Sequence, residues 1–281
     1  MSILHEDKET CSEADLKTVG AHAYFEHPST RVWCVAWAFD DEPVQVWTPD
    51  QPIPARIIQH HHSGGQVWAH NATFERLASQ SPFMRQLGWP PLSIEQTYCT
   101  MSMAYAMNLP GSLDRAAAAL GLPVRKDHEG YRIMMQLAQP HPDGGWYDPA
   151  RSPELHARLR AYCAQDVVVE RELGKRLRQL SPDERRLWIL DQKINDRGIG
   201  TDRAAASAAI TIVKAEEKRL NDRMQQLTGL HTTQNVKLVA WLQERGVGID
   251  SLAKDAVADA LETNVFTGAL DCQEALRIRQ E

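Results

Sequence analysis

Val32-Trp33-Cys34-Val35-Ala36-Trp37-Ala38-Phe39, interrupted by Asp40-Asp41-Glu42-Pro43 and resumed as Val44-Gln45-Val46-Trp47, is the stretch that decides the fold. β-branched and aromatic residues dominate both runs, and a charged, proline-containing break separates them. That pattern predicts a β-hairpin. Upstream, residues 2–9 form a short strand candidate that ends at Thr10. Downstream, Gln66-Val67-Trp68-Ala69-His70 is a further buried strand candidate, preceded by the turn residues Ser63-Gly64-Gly65. After Asn71 the periodicity becomes helical through about Gln86. Strands that give way to helices in this manner predict an α/β domain built on a mixed sheet.

Further along, Tyr98–Met107 predicts a helix that stops at Asn108-Leu109-Pro110-Gly111. Ser112 is placed to cap a helix over Leu113–Leu120 that Gly121 closes. Arg125–Ala138 predicts another helix, and the stretch from His141 to Pro153, rich in Pro, Gly and Asp, predicts a surface loop. Leu155, Leu159, Tyr162, Val169, Leu173 and Leu177 recur at helical spacing, which predicts one long helix over Pro153–Leu180. Ser181-Pro182-Asp183-Glu184 is a helix start, with Ser as N-cap and Pro at the first position. The domain boundary is expected there, giving an α/β unit over 1–180 and an all-helical segment over 181–281.

The chain has 281 residues, beyond the usual size of a single domain. Its 43% hydrophobic and 24% charged residues describe an ordinary folded protein rather than a disordered or fibrous one. Five cysteines, odd in number and without a CxxC pair, argue for reduced thiols and against a disulfide frame. The N-terminal residues show neither a basic region nor an apolar one of the secretory kind, and no apolar run is long enough for a bilayer. A cytoplasmic location is therefore expected. The net charge of −6 counts modestly against a simple polyanion binder. It does not count against an enzyme that meets phosphate through divalent cations, because the ligands of such cations are acidic.

Candidate chemistry lies in three short segments. Asp7 and Glu9 share one face of a strand, because side chains alternate. Two carboxylates held side by side repel unless a cation lies between them, and hard oxygen donors suit Mg²⁺ or Mn²⁺. Tyr162 and Asp166 are spaced i, i+4, so they share one helix face. Asn71-Ala72-Thr73-Phe74-Glu75 sits where a strand hands over to a helix, the rim of a sheet where sites form. Each segment alone has a bland reading: a charged N-terminal run, a helix-surface pair, or an N-cap with a first-turn acid. Their conjunction and order favour a single metal site.

The order DxE, Asn-x-x-Phe-acid, Tyr-x-x-x-Asp resembles the DEDD superfamily of 3′–5′ exonucleases, in its tyrosine-containing subclass. More narrowly, the chain resembles the N-terminal portion of a bacteriophage-type family A DNA polymerase. Asp7-Lys8-Glu9-Thr10, Ala69–Glu75, Leu109–Leu113 and Lys126-Asp127-x-x-Gly130 look like its proofreading domain. Leu190–Gly198, Lys237–Gly246 and Leu276–Arg279 look like its helical thumb and the approach to the palm. The resemblance implies a ribonuclease H-like fold over 1–180 and a thumb-like segment over 181–281. It implies two-metal hydrolysis of DNA 3′ ends, single-stranded or frayed, with Mg²⁺ or Mn²⁺. By the same carry-over, Asp7, Glu9, Glu75 and Asp166 would ligate metal, and Tyr162 would orient the attacking water. Thr10, His70, Asn71 and Phe74 would contact the substrate, and the remainder of a polymerase would be a partner. Glu75 stands where Asp is usual, and Glu6 where an apolar strand residue is usual. No palm or fingers motif is found, so nucleotide polymerisation is not expected. The rival readings are a binding module whose carboxylate site has degraded, and an RNA-trimming exonuclease.

Elsewhere, His60-His61-His62 before Ser-Gly-Gly is expected to be a solvated loop rather than a metal site. Cys163 has no neighbouring base and is not expected to act as a nucleophile. Trp33, Trp37, Trp47 and Trp68 are expected in the core. Lys126 and Arg132 are candidate phosphate contacts.

Overall fold

The computed structural model describes residues 2–123, 127–263 and 270–280. Lys126, and with it the start of the Lys126-Asp127-x-x-Gly130 motif, lies outside the described residues, as does Arg125. The chain forms two compact units, residues 1–198 and 199–281.

The first unit is built on a mixed sheet of five strands in the order β3-β2-β1-β4-β5. These are β1 (Ile3–Cys11), β2 (Arg31–Phe39), β3 (Gln45–Trp47), β4 (Gln66–Ala69) and β5 (Thr97–Cys99). β1, β2 and β3 pair antiparallel, whereas β4 and β5 run parallel to β1. The fold is α/β, as expected. The hairpin of β2 and β3 forms where the sequence predicts it.

Alternation along β2 explains how the sheet is covered. Val35, Trp37 and Phe39 point into one core with Leu4, Trp47, Ile57, Met84 and Trp89. The intervening Cys34, Ala36 and Ala38 are small and meet Leu159, Cys163 and Val167 of the long helix α8 (Pro153–Gly174). Small side chains on that face let α8 approach the strands closely. Asp7 pairs with Ala36 and Glu9 with Cys34, so the acid pair of β1 lies on the α8 side of the sheet. Glu6 and Lys8, paired with Trp37 and Val35, lie on the other side. A register shift between Glu9 and Thr10 marks a bulge at the end of the acidic stretch, where bulges commonly re-aim side chains.

Several elements depart from expectation. Thr97–Cys99 is a strand, with helix α5 (Thr100–Ala106) only after it, although Tyr98–Met107 carries a helical pattern. Pairing with β4 overrides the local preference. Helix α8 stops at Gly174 rather than running to Leu180. His60-His61-His62 is not a solvated loop: it ends helix α2 (Ala55–His62), with His60 and His61 buried. His60 Nε2 bonds the carbonyl of Gln66 at 2.9 Å, and its ring fills the space a Cβ at Gly65 would need. Helix α1 (Leu16–Glu26), kinked at Gly20, carries no amphipathic signal and was not anticipated.

Helix α9 (Pro182–Arg197) opens with a complete capping box from Ser181 and Glu184, at the position foreseen for a domain boundary. It nevertheless belongs with the first unit. Its Gln192 accepts from Thr73 Oγ1 at 2.7 Å, and its Asp196 takes both guanidinium nitrogens of Arg76 at 2.7 and 2.9 Å. Thr73 and Arg76 are on α3 (Ala72–Gln80).

The second unit is helical, with α10 (Arg203–Thr228), α11 (Asn235–Gln243), α12 (Lys254–Glu262) and α13 (Leu270–Gln280). Gly229, at φ 73°, ends α10. Two small cores hold it, one around Leu242, Val257 and Leu276 and one around Met224, Leu238 and Ile278. Among the described residues no helix is long and apolar enough to cross a membrane.

A candidate acidic metal site

A cleft of about 630 Å³ opens at the carboxyl end of β4 and along β1. Asp7, Glu9, Thr10, His70, Asn71, Phe74, Glu75, Tyr162 and Asp166 all line it. Three separate elements bring them there: β1, the turn from β4 into α3, and the middle of α8. A larger cleft of about 850 Å³ contains Arg31, Trp33 and Arg160, but its carboxylates, Asp50 and Asp148, are exposed. Size alone therefore does not select the site; the burial of its acids does.

Glu9, Glu75 and Asp166 are 7%, 4% and 5% exposed. Burial is the first cause that lifts the Glu9 carboxyl well above the usual carboxylate range, followed by the charges of Asp7, Cys34, Asp166 and Glu75. Burial likewise lifts Glu75, with Lys8 pulling the other way and Asp7 and Glu6 pushing up. Crowding of this kind raises the affinity of the set for protons and, by the same charge balance, for a cation.

Tyr162 is fully buried, one turn ahead of Asp166 on α8. Burial, then the charges of Asp166, Glu9 and Asp7, raise its hydroxyl far above the ordinary tyrosine value, and it hydrogen-bonds Asp166. The phenol thus stays protonated. Helix α7 (His128–Leu137) packs against it at Gly130, where a Cβ would sit 2.8 Å from Tyr162 Cβ and Cδ2. Asp127 caps α7 by accepting from the Gly130 amide at 3.0 Å and also pairs with Arg158. Gly130 is therefore a spacing requirement, which accounts for its place in the motif. Gly130→Ala is expected to cost about 1–3 kcal/mol through overpacking and to lower the rate of any reaction that uses Tyr162. Chemical denaturation beside an activity assay checks both, and an unperturbed variant would show that α7 moves freely.

Asn71 caps α3 without a side-chain bond, in the left-handed region at φ 63°. Its amide is exposed, so the capping role suggested by sequence is carried by the backbone alone. His70 is held at both ring nitrogens, by Thr100 Oγ1 at 3.1 Å and the Gly111 carbonyl at 2.7 Å. It ties the end of β4 to the 108–112 turn. Thr10 Oγ1 lies 2.9 Å from Tyr24 Oη, and Phe74 packs half-buried on Phe25 at 4.7 Å between ring centres.

Among the described residues Asp7, Glu9 and Cys163 place candidate ligand atoms within 4.8 Å of one another. Burial raises the Cys163 thiol well above its ordinary value, and its Sγ contacts the Asp7 carbonyl at 3.3 Å. Cys163 is thus a buried, packed thiol. Sequence reasoning missed Lys8. It is buried beside the site, with Nζ 2.5 Å from Glu6 Oε1 and 3.6 Å from Glu75 Oε2. Glu6, unexpected on an internal strand, is its counter-ion.

The fold and this cleft describe an α/β protein with buried carboxylates gathered at a strand-to-helix rim. Over an alignment of 293 residues the chain is 34% identical to the DNA polymerase of Bacillus phage SP02, taking in all of this chain and 44% of that protein. The chain thus spans under half the length of the curated relative it matches. No family model matches the chain.

Proposed function

We propose that the chain is a metal-dependent 3′–5′ exonuclease acting on DNA, the proofreading portion of a phage-type DNA polymerase. The observation that carries the reading is the convergence of Asp7, Glu9, Glu75, Tyr162 and Asp166 on one cleft from three elements distant in sequence. Similarity to a phage DNA polymerase supplies the context.

The donor set fits a hard divalent cation. Its acids offer carboxylate oxygens, and the raised proton affinity of Glu9 and Glu75 marks a site short of positive charge. Asp7, Glu9 and Asp166 would hold one ion and Asp7 with Glu75 a second. Bound there, Mg²⁺ or Mn²⁺ would supply an activated hydroxide and neutralise charge on the leaving oxygen. The chain's own groups do the rest. Tyr162, protonated at its hydroxyl, hydrogen-bonds Asp166 and orients the attacking water. Phe74 offers a half-exposed ring on which a terminal base stacks, and Asn71 and Thr10 flank the sugar.

The test is digestion of a 5′-labelled single strand with Mg²⁺ or Mn²⁺, beside an RNA strand of the same sequence. Products shortening from the 3′ end of DNA, abolished by EDTA, are expected. An intact DNA strand that nevertheless binds would leave a non-catalytic module; preferential digestion of RNA would reassign the substrate.

A pH dependence follows from the raised carboxyls. A carboxyl whose proton affinity is higher folded than unfolded keeps the folded state richer in protons, so stability falls as pH rises above about 4.3. Metal binding requires the deprotonated acids and strengthens in the same direction. The stabilisation of metal-free wild type by Mn²⁺ is therefore expected to grow between about pH 5 and pH 8. Glu9→Gln is the reference, because it leaves in place the buried His61 and His156. Burial lowers the proton affinity of both, so they titrate in the opposite sense. A Mn²⁺-induced shift in melting temperature that does not vary with pH would contradict this account.

A further inference from the structure

Lys8 occupies the middle of the acidic stretch of β1, on the side of the sheet away from Asp7 and Glu9. Its side chain has no exposed surface, and neither does that of Glu6. A buried ammonium is costly unless paired, and one carboxylate suffices for charge balance. Glu6 supplies it, two residues away on the same strand, at 2.5 Å. Yet a second carboxylate reaches the same ammonium from another element: Glu75, on α3, has Oε2 at 3.6 Å. That separation is an ion pair rather than a hydrogen bond, and Glu75 Oε2 accepts no hydrogen bond. Glu75 also lines the acidic cleft. One carboxylate therefore faces both the cleft and a permanent internal cation.

We propose that Lys8 is a positioning residue: it holds Glu75 at the rim of the cleft and fixes a positive charge there. In consequence a divalent ion taken at Glu75 binds about tenfold more weakly than it would without the ammonium. The inference rests on the reading of the cleft as a metal site given above. Its physical basis is competition: a divalent ion at Glu75 shares its ligand with an ammonium that cannot leave, since Lys8 is enclosed by Glu6, Glu75 and the Trp89 ring at 5.9 Å. Glu6 completes the device by letting a lysine be buried there at all.

The experiment is a Mn²⁺ titration of the whole chain, with free Mn²⁺ followed by electron paramagnetic resonance. Wild type, the paired variant Glu6→Leu/Lys8→Met, and Asp7→Asn are compared. Two binding phases, one tight and one weak, are expected in wild type. The paired variant should tighten the weak phase about tenfold, and Asp7→Asn should remove the tight phase. The Mn²⁺ concentration for half-maximal digestion should fall in the paired variant, a change that loss of packing alone would not produce. Should Glu6→Leu/Lys8→Met fail to fold, Glu6→Gln/Lys8→Gln keeps a hydrogen bond without charge and carries the same measurement. A weak phase unmoved by the paired change, with the tight phase still lost in Asp7→Asn, overturns the role of Lys8 and leaves the metal site standing. Mn²⁺ binding that is indifferent to Asp7→Asn overturns the site and this inference together.

Discussion

Asp7→Ala and Asp166→Ala are each expected to reduce digestion of a 5′-labelled single strand by about 10³-fold or more, the rate equivalent of several kcal/mol of transition-state stabilisation. Asp7 lies on the central strand and Asp166 on α8, elements that share no local sequence, yet both line one cleft with Glu9 and Glu75. On the proposed reading, removal of either would leave too few oxygens to hold a divalent ion at the reacting phosphate. At Asp7 stability should move the other way. Asp7→Ala takes one negative charge from a crowded set, so that metal-free variant should melt no lower than wild type, whereas Asp166→Ala also strands the buried Tyr162 hydroxyl and should melt lower by the cost of that lost hydrogen bond. That opposition is what separates a functional acid from a structural one. Wild-type digestion by either variant, or activity lost together with folding, would sink the assignment.

Lys8→Met alone is expected to lower stability by about 3–5 kcal/mol, because it strands Glu6 and removes the cation facing Glu75 inside the protein. The paired change Glu6→Leu/Lys8→Met should recover most of that loss. Replacing a whole buried ion pair by apolar side chains of similar volume is often neutral. The surroundings favour this outcome, since Glu6 and Lys8 face the Trp37, Trp47 and Trp89 side of the sheet. Urea denaturation of the two singles and the pair closes the cycle. If the single and paired variants are equally unstable, the contact carries no coupling, and Lys8 packs there through its methylenes alone.

Much of the first unit was legible because its signals are local. The β2–β3 hairpin announces itself through alternation, and α8 through its apolar spacing. The acids of the site were legible as a set, since Asp7 and Glu9 must share a strand face and Tyr162 and Asp166 a helix face. What was hidden depends on tertiary context. β5 spans only Thr97–Cys99 and exists because β4 offers it an edge. His60 and His61 look solvated in a polar run, but α2 turns both inward. Lys8 reads as one more charge in Glu6-Asp7-Lys8-Glu9 until the sheet places it inside. The left-handed cap at Asn71 and the spacing role of Gly130 likewise follow from neighbours that no short window contains.

The three hydrogen bonds between α3 and α9 set a lower limit on the length of an intact first unit. Arg76 is 1% exposed, and its guanidinium is matched by Asp196, almost at the end of α9. A shortened chain stopping at residue 180 would sever that match and leave the arginine uncompensated on the helix that carries Glu75. A smaller fragment that keeps the α3–α9 contacts intact therefore extends through Asp196.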